Sequence, residues 1–465
     1  MATVEATIRP QIRLHTGTFV NEPLTDFTKE ENARKMRSAI EKVRGQLGRE
    51  YDLIIGGQRL KTAEKIRSIN PANPGQVVGI HQKAGKEHVE PAMKSALETF
   101  EHWKRTTVEE QKDTLHYIPL GVGAVIPPWN FPCAIMAGMT LASIVSGNTV
   151  VLKPSSDSPT IAAKFVELLE ECGMPEGVVN FCPGAGASFG DAIVAHPKTR
   201  YIAFTGSREV GLRINKVAAD NAPGQVWIKR TILEMGGKDA IVVDADADID
   251  SAVEGVAGSA FGFQGQKCSA CSRAIVDERI YDSFLQKLKA RVEKIQVGDP
   301  AENAQMGAVI NEGSMNSILE YIEQGKKDGR VITGGGRASG PGNGFYLQPT
   351  VIADIQPKSK LEQEEIFGPV LAVIKSKNYD HALQIANDTE FGLTGAVYTK
   401  SKDKIERAIE EFHEGNLYIN RKCTGATVGC HPFGGFNMSG TDSKSGGPDY
   451  LYLFTQGKAV GKKTI

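Results

Sequence analysis

Between residues 149 and 262, short apolar runs repeatedly give way to stretches in which apolar residues return every three or four positions. The first rhythm marks a strand buried on both faces, the second an amphipathic helix. TVVLKPS (149–155) predicts a strand and PTIAAKFVELLEECG (159–173) the helix after it. GVVNFCPG (177–184), YIAFTGS (201–207) and DAIVVDA (239–245) predict further strands. Helices follow them over ASFGDAIVAH, REVGLRINKVAA (208–219) and DIDSAVEGVAGSAFG (248–262). Strands alternating with helices through short polar joints specify an α/β layout around a mostly parallel sheet. A second α/β stretch begins at 272, with strands SRAIVD, PVLAVIKS, LTGAVYTK and GNLYIN (415–420) and helices YDSFLQKLKARVEKI (281–295), YDHALQIAND (379–388) and KDKIERAIEEFH. GGGRASGPGNG (334–344) reads as a loop leading into YLQPTVIADI.

The early chain is different. NARKMRSAIEKVRGQL (32–47) and EHVEPAMKSALETFEHWKR (87–105) carry the helical period, and YDLIIGGQRLKTAEKI (51–66) reads as a hairpin turning at its Gly-Gly pair. SINPANPG reads as turn material, and the terminal LYLFTQGKAV as an apolar strand that needs a partner in its own or another subunit.

Length and composition narrow this picture. A chain of 465 residues is long for one hydrophobic core, so more than one domain is expected. A formal net charge of −1 lacks the basic stripe that nucleic-acid binding calls for. The most apolar window, AIMAGMTLASIVSG (134–147), is too short to cross a bilayer, and MATVEATIRPQIRLHTGTF at the start lacks a signal-like apolar core. Seven cysteines, an odd number in a long chain, argue against a disulfide framework and for a reducing compartment, with the cytoplasm as default.

Candidate chemistry clusters where predicted strands end. KPSSDSP (153–159) and FTGSREVG (204–211) lie at carboxyl ends of strands, where open α/β sheets bind ligands. A Gly-Ser turn opening a helix exposes N–H groups suited to phosphate, although Ser207 is equally read as a plain helix cap. No GxGxxG fingerprint is present. In ILEMGGKDA (232–240), Glu234 is either a general base held in a dry cleft or a solvated turn residue. In PPWNFP (127–132), Asn130 either aims its amide at a developing oxyanion or caps its own turn. GFQGQKCSACSR (262–273) leaves Cys268 open as a thiolate nucleophile next to Lys267, as half of a CxxC redox pair with Cys271, as a zinc ligand with Cys423, Cys430 and His431, or as an inert thiol.

The order of these pieces carries more than any one of them. PWNFP, KPS, FTGS, LEMGGK, GQKC, EEIFGP (364–369) and PFGG (432–435) in this sequence resemble the aldehyde dehydrogenase superfamily. YIPLGVGAVIPPWNFPCAIMAG, KRTILEMGGKDAIVVD, FQGQKCSACSR and NLYINRKCTGATVGCHPFGG are similar to its 1-pyrroline-5-carboxylate dehydrogenase branch, which oxidises glutamate semialdehyde to glutamate in proline and arginine breakdown. The resemblance implies an α/β fold with a Rossmann-type NAD-binding domain over 1–234, a catalytic α/β domain over 235–423, and a return segment with an oligomerisation strand over 424–465. Residues 112–124 would contribute to a homo-oligomer. It further implies that Cys268 is the nucleophile, that Asn130 and the Cys268 N–H form the oxyanion hole, and that Glu234 activates the hydrolytic water. Lys153 and Glu365 match residues that hold the riboses of NAD, and Ser207, preceded by Thr205 and Gly206, matches the pyrophosphate position at a helix start. Phe367 matches the residue near the nicotinamide ribose. For the substrate, Ser269, Gly425 and Ala426 resemble a carboxylate anchor, Phe131 and Phe433 aromatic walls, and Lys267 a basic position. The implied partners are NAD and a small semialdehyde, with no nucleic acid, membrane or metal.

The chain also departs from that family. Relatives carry a longer helical segment where VEEQKDTL (108–115) here runs directly into HYIPL, which predicts a parallel sheet less covered on one side. Ser156 stands where many relatives have a glutamate, which removes one repulsion toward the phosphate of NADP, and Ala308 stands where proline is frequent. Another semialdehyde such as succinate semialdehyde, or a role as a catalytically impaired partner subunit, therefore stay open.

Overall fold

The computed structural model describes residues 21–105, 115–461 and 463. The start of the chain, read above as lacking a signal, and most of the shortened 108–115 junction lie outside the described residues. Two seven-stranded sheets organise the rest. In the first, strands run in the spatial order Arg230–Glu234, Tyr201–Thr205, Val122–Ile126, Thr149–Leu152, Val179–Phe181, Leu53–Ile55 and Gln58–Leu60. The first five are parallel, and the last two are antiparallel additions. The predicted hairpin supplies those two. It turns at Gly56 and Gly57, whose φ of 56° and 74° match the left-handed pair that a two-residue hairpin requires.

The chain order explains where a ligand can enter. From Val122–Ile126 the chain adds strands on one side, then returns to add Tyr201–Thr205 on the other side of that same strand. At such a reversal the two following loops part and leave a crevice at the strand ends. The second sheet, in the order Arg330–Thr333, Thr350–Ala353, Val370–Ser376, Arg273–Asp277, Ala240–Val243, Thr394–Tyr398 and Asn416–Ile419, is parallel except for its first strand.

Both faces of the first sheet are covered. Val125, Val150, Leu152, Tyr201 and Ala203 pack to one side, with residues of helices Ala134–Val145 and Pro159–Glu171. Val122, Ala124, Val151, Ile202 and Phe204 pack to the other, with Val89–Trp103 and Arg208–Ala219. The expectation of a sheet left partly bare is therefore corrected. The apolar exposure lies one layer further out, on helix Ala134–Val145, where Leu141 and Val145 are 43% and 62% exposed.

Three further elements differ from the sequence reading. SINPANPG is mostly strand: Lys65–Asn70 pairs antiparallel with Asn73–Gln82 through irregular register, the kind of position where a strand tolerates proline. Helix Glu312–Asp328 has no counterpart among the predicted elements. In LYLFTQGKAV only Thr455–Ala459 is strand, because Tyr450 and Phe454, four apart, both insert into the core and hold the preceding turn as a 3-10 helix. That strand pairs antiparallel with Leu115–Pro119 of its own chain, forming a two-stranded arm.

Candidate active site

A cavity of about 580 Å³ opens at the crevice between Val122–Ile126 and Tyr201–Thr205. It gathers Asn130, Lys153, Ser156, Thr205, Gly206, Ser207, Cys268, Glu365 and Phe367 from the sequence expectations, across segments more than two hundred residues apart. Trp129, which the sequence reading passed over although it stands next to Asn130, also lines it and meets the Phe367 ring edge-on at 5.4 Å.

One end is built for an anion. Ser207 caps helix Arg208–Ala219, its side chain accepting from the Val210 N–H. The cap reading holds, and the helix N-terminus with its partial positive charge also opens into the cavity. Lys153 is buried along one wall, its Nζ donating to the Pro154 and Gly184 carbonyls at 3.2 Å each. Burial lowers its pKa to about 8. Ser156, by contrast, lies on an exposed turn at the rim.

Glu365 explains the double glycine of LEMGGK. Its Oε1 accepts from the Gly237 N–H at 3.1 Å, and a Cβ on residue 236 would lie 2.1 Å from its Oε2. Only glycine lets the carboxylate lie flat on this turn. Burial raises its pKa to about 7, partly offset by the Gly237 N–H and Lys238.

At the inner end stand Asn130 and Cys268. Asn130 is buried, and its Nδ2 donates to the Gln266 carbonyl at 3.1 Å. This bond ties the PPWNFP turn to the loop that carries the cysteine. Cys268 is half-buried, and its thiol is pushed up by burial and then by Asp239, Glu365 and Glu234. Its supposed CxxC partner faces elsewhere: Cys271 is buried in the second sheet's core, its Sγ on the Arg273 carbonyl at 3.4 Å, with Cys423 as its thiol neighbour. The zinc alternative separates likewise, since Cys423 is buried while Cys430 is exposed.

Glu234 ends strand Arg230–Glu234, just beyond the cavity wall. As a residue it is half-buried, but its Oε2 is sealed from solvent and has no hydrogen-bond partner among the described residues. Oε1 accepts from Ser443 Oγ at 2.6 Å. Burial raises its pKa to about 8 against the lowering effects of Ser443 and Lys444. This is not the solvated turn residue of the alternative reading. Ser443, 209 positions away, left no signal in the sequence.

The remaining expected residues do not line the cavity. Phe131 stacks on Phe263, ring centroids 5.2 Å apart and 2° from parallel, and Lys267 Nζ lies 5.7 Å from the same Phe263 ring. Phe263 and Gln264 adopt left-handed φ of 59° and 58°, a strained pair just ahead of the Cys268 loop. Ser269 is buried, and its carbonyl accepts from Cys423 Sγ at 3.5 Å, which links the loop to the turn bearing Gly425 and Ala426. Phe433 exchanges backbone hydrogen bonds with Ser445, next to the Ser443 that holds Glu234.

Residues 109–460 match the aldehyde dehydrogenase family, and the chain belongs to that family. Within it, the chain is 50% identical to the 1-pyrroline-5-carboxylate dehydrogenase of Geobacillus thermodenitrificans, with 96% of this chain and 99% of the relative covered. The enzyme of that name from Anoxybacillus flavithermus is 48% identical over the same shares. Among solved structures, 1-pyrroline-5-carboxylate dehydrogenase from Thermus with bound NAD superposes with a TM-score of 0.92 at 42% identity, covering 96% of this chain and 99% of that one. The alignment with the Geobacillus protein runs over 511 residues, more than the 465 of the whole chain, so the relative has positions without a counterpart here.

Proposed function

We propose that this protein oxidises L-glutamate 5-semialdehyde, the open form of 1-pyrroline-5-carboxylate, to L-glutamate with NAD, in proline and arginine breakdown. The observation that carries the proposal is the meeting of Cys268 and Asn130 at the inner end of a cavity whose other end is a helix N-terminus. The residues fit the dinucleotide. Thr205, Gly206 and Ser207 would hold its pyrophosphate, Lys153 and Glu365 its ribose hydroxyls, Ser156 the adenosine side, and Phe367 the nicotinamide side. NAD, when bound, supplies the acceptor for the aldehyde's hydride.

The protein's own groups do the rest. Cys268 gives up its thiol proton to solvent, and the thiolate adds to the aldehyde carbon and forms a thiohemiacetal. Asn130, which keeps a second amide hydrogen beyond its bond to Gln266, and the Cys268 N–H donate to the oxygen as it gains charge. Loss of hydride leaves a thioester on Cys268. Glu234 then takes a proton from water, and the hydroxide attacks the thioester. At the substrate's far end, the Gly425-Ala426 turn offers backbone N–H groups to its carboxylate, with the Ser269 hydroxyl and Lys267 nearby, while Phe131 and Phe433 wall its aliphatic chain.

We further propose a cytoplasmic homo-oligomer, supported by the exposed apolar residues Tyr117, Leu451 and Tyr452 on and beside the two-stranded arm. The positions missing relative to the Geobacillus protein we place between Trp103 and Leu115. That shortfall favours one second reading, a catalytically impaired partner subunit. A single assay separates the readings: NADH formation followed by absorbance with 1-pyrroline-5-carboxylate and with succinate semialdehyde, each with NAD and NADP. We expect turnover with the first substrate and NAD, and none with C268A. Faster oxidation of succinate semialdehyde would overturn the substrate, and absence of both NADH and NAD binding would leave the partner-subunit reading.

A further inference from the structure

We infer that Ser443 is the positioning residue for Glu234, fixing Oε1 so that Oε2 alone is the atom that takes the proton from the hydrolytic water. This rests on the reading of Cys268 as nucleophile and Glu234 as base. The segment 439–443 is laced along the end of strand Arg230–Glu234. The Met235 N–H donates to the Ser439 carbonyl at 2.7 Å, the Thr441 N–H to the Leu233 carbonyl at 3.0 Å, and the Leu233 N–H to Thr441 Oγ1 at 3.0 Å. Glu234 sits in the middle of this ladder, bridged to Gly440. The ladder delivers the buried Ser443 hydroxyl to Oε1 at 2.6 Å. On the other side, a Cβ on residue 434 would come within 2.8 Å of the same oxygen, so the glycine there makes the room. Oε2 is buried beside Oε1 and has no hydrogen-bond partner among the described residues, which leaves its lone pairs free to accept from a water.

The step balances. Oε2 takes one proton from water, the water oxygen bonds to the thioester carbonyl carbon, and the carbon–sulfur bond breaks with its electron pair going to Cys268 as thiolate. The acid product leaves, and the proton on Glu234 passes to solvent. Ser443 stays bonded to Oε1 throughout and changes neither charge nor covalent state. The titratable groups that face Glu234 are Lys444 and Asp442 from the same return segment, Tyr450 beyond it, and Cys268 from the loop opposite. Lys444 is held off the carboxylate by bonds to the Gly415 and Gly434 carbonyls, so the direct contacts are the Ser443 hydroxyl and the Gly435 N–H.

The test compares the first turnover with later ones in the wild type, S443A and S443T. In S443A we expect a full burst of NADH, one equivalent per active site, followed by a steady rate lowered about tenfold, since acylation does not use Glu234 and deacylation does. The rising limb of the steady rate against pH moves to higher pH, because a donor to the ionised carboxylate is gone. S443T, which keeps the hydroxyl, restores the rate. The same variants are run with p-nitrophenyl acetate, which acylates Cys268 without NAD, so the burst and steady phases of p-nitrophenol test Ser443 even if the semialdehyde proves not to be the substrate. Equal loss of burst and steady rate in both variants, with intact thermal melting, would overturn the inference, as would an unchanged steady rate in S443A.

Discussion

At Cys268 the local electrostatics oppose ionisation. Burial and the neighbours Asp239, Glu365 and Glu234 all push the thiol up. Two of those neighbours relieve the pressure themselves, since burial raises Glu365 to about 7 and Glu234 to about 8 and leaves both partly protonated near neutrality. The same raised value sets the pH dependence of the second half-reaction. In the role proposed for it, Glu234 acts as base only when ionised, so we expect the deacylation-limited rate to climb as pH rises through about 8 and level off above it. A profile of kcat between pH 6 and 10 checks this. E234Q removes the limb and lowers kcat by about 10²- to 10⁴-fold, the usual span for losing a general base. Within the site, the residues legible from sequence are those whose chain neighbours already mark their place. Lys153, Ser207 and Cys268 each stand at or beside the end of a strand or helix that periodicity reveals. Phe263 and Ser443 stayed hidden because their roles depend on contacts made only after folding, one with Phe131 and the other with Glu234.

Elements are legible where cap and period agree. Helix Arg208–Ala219 can be read to the residue, because Ser207 caps it and its apolar side is regular. Helix Glu312–Asp328 has the period too, with Met315, Ile318 and Ile322 buried and Asn311 accepting from the Ser314 N–H at 2.8 Å. Gly313, Ser314 and Gly325 dilute its propensity, so packing and not sequence decides it. Packing of another kind joins three elements at Arg273, which opens a central strand of the second sheet and is fully buried. Its guanidinium donates to Glu362 at 2.6 Å and to the carbonyls of Lys238, Ile385 and Ala386 at 2.8–2.9 Å. E362A would leave that charge unpaired in the core, so we expect a loss of about 3–5 kcal/mol in denaturant unfolding. Because Glu362 lies three residues before Glu365, proposed above to hold a ribose of NAD, NAD affinity should fall in the same variant.

For the molecule as a whole, the first sheet is covered on both faces, and apolar exposure lies on the outside of a helix. Leu141 and Val145 face solvent on Ala134–Val145, a helix with apolar residues on all sides. A helix of that kind belongs in an interior. Lysine at both positions should therefore leave the melting temperature within a degree or two and reduce self-association in sedimentation velocity, since surface changes of this kind shift stability by under about 0.5 kcal/mol. Larger destabilisation would mean that the face is packed in solution.

The return segment has a consequence in time. Ser443 reaches a base made 209 residues earlier, and the Phe454 carbonyl accepts from Asn148 across 306 residues. Contacts of such separation are formed late and slowly. A chain emerging from the ribosome can thus form most strands of its first sheet, and even the Cys268 loop, while the groups around Glu234 are still unmade. With the roles proposed above, catalytic competence would arrive with the last stretch synthesised, so that unfinished chains carry the thiol without the machinery to turn it over.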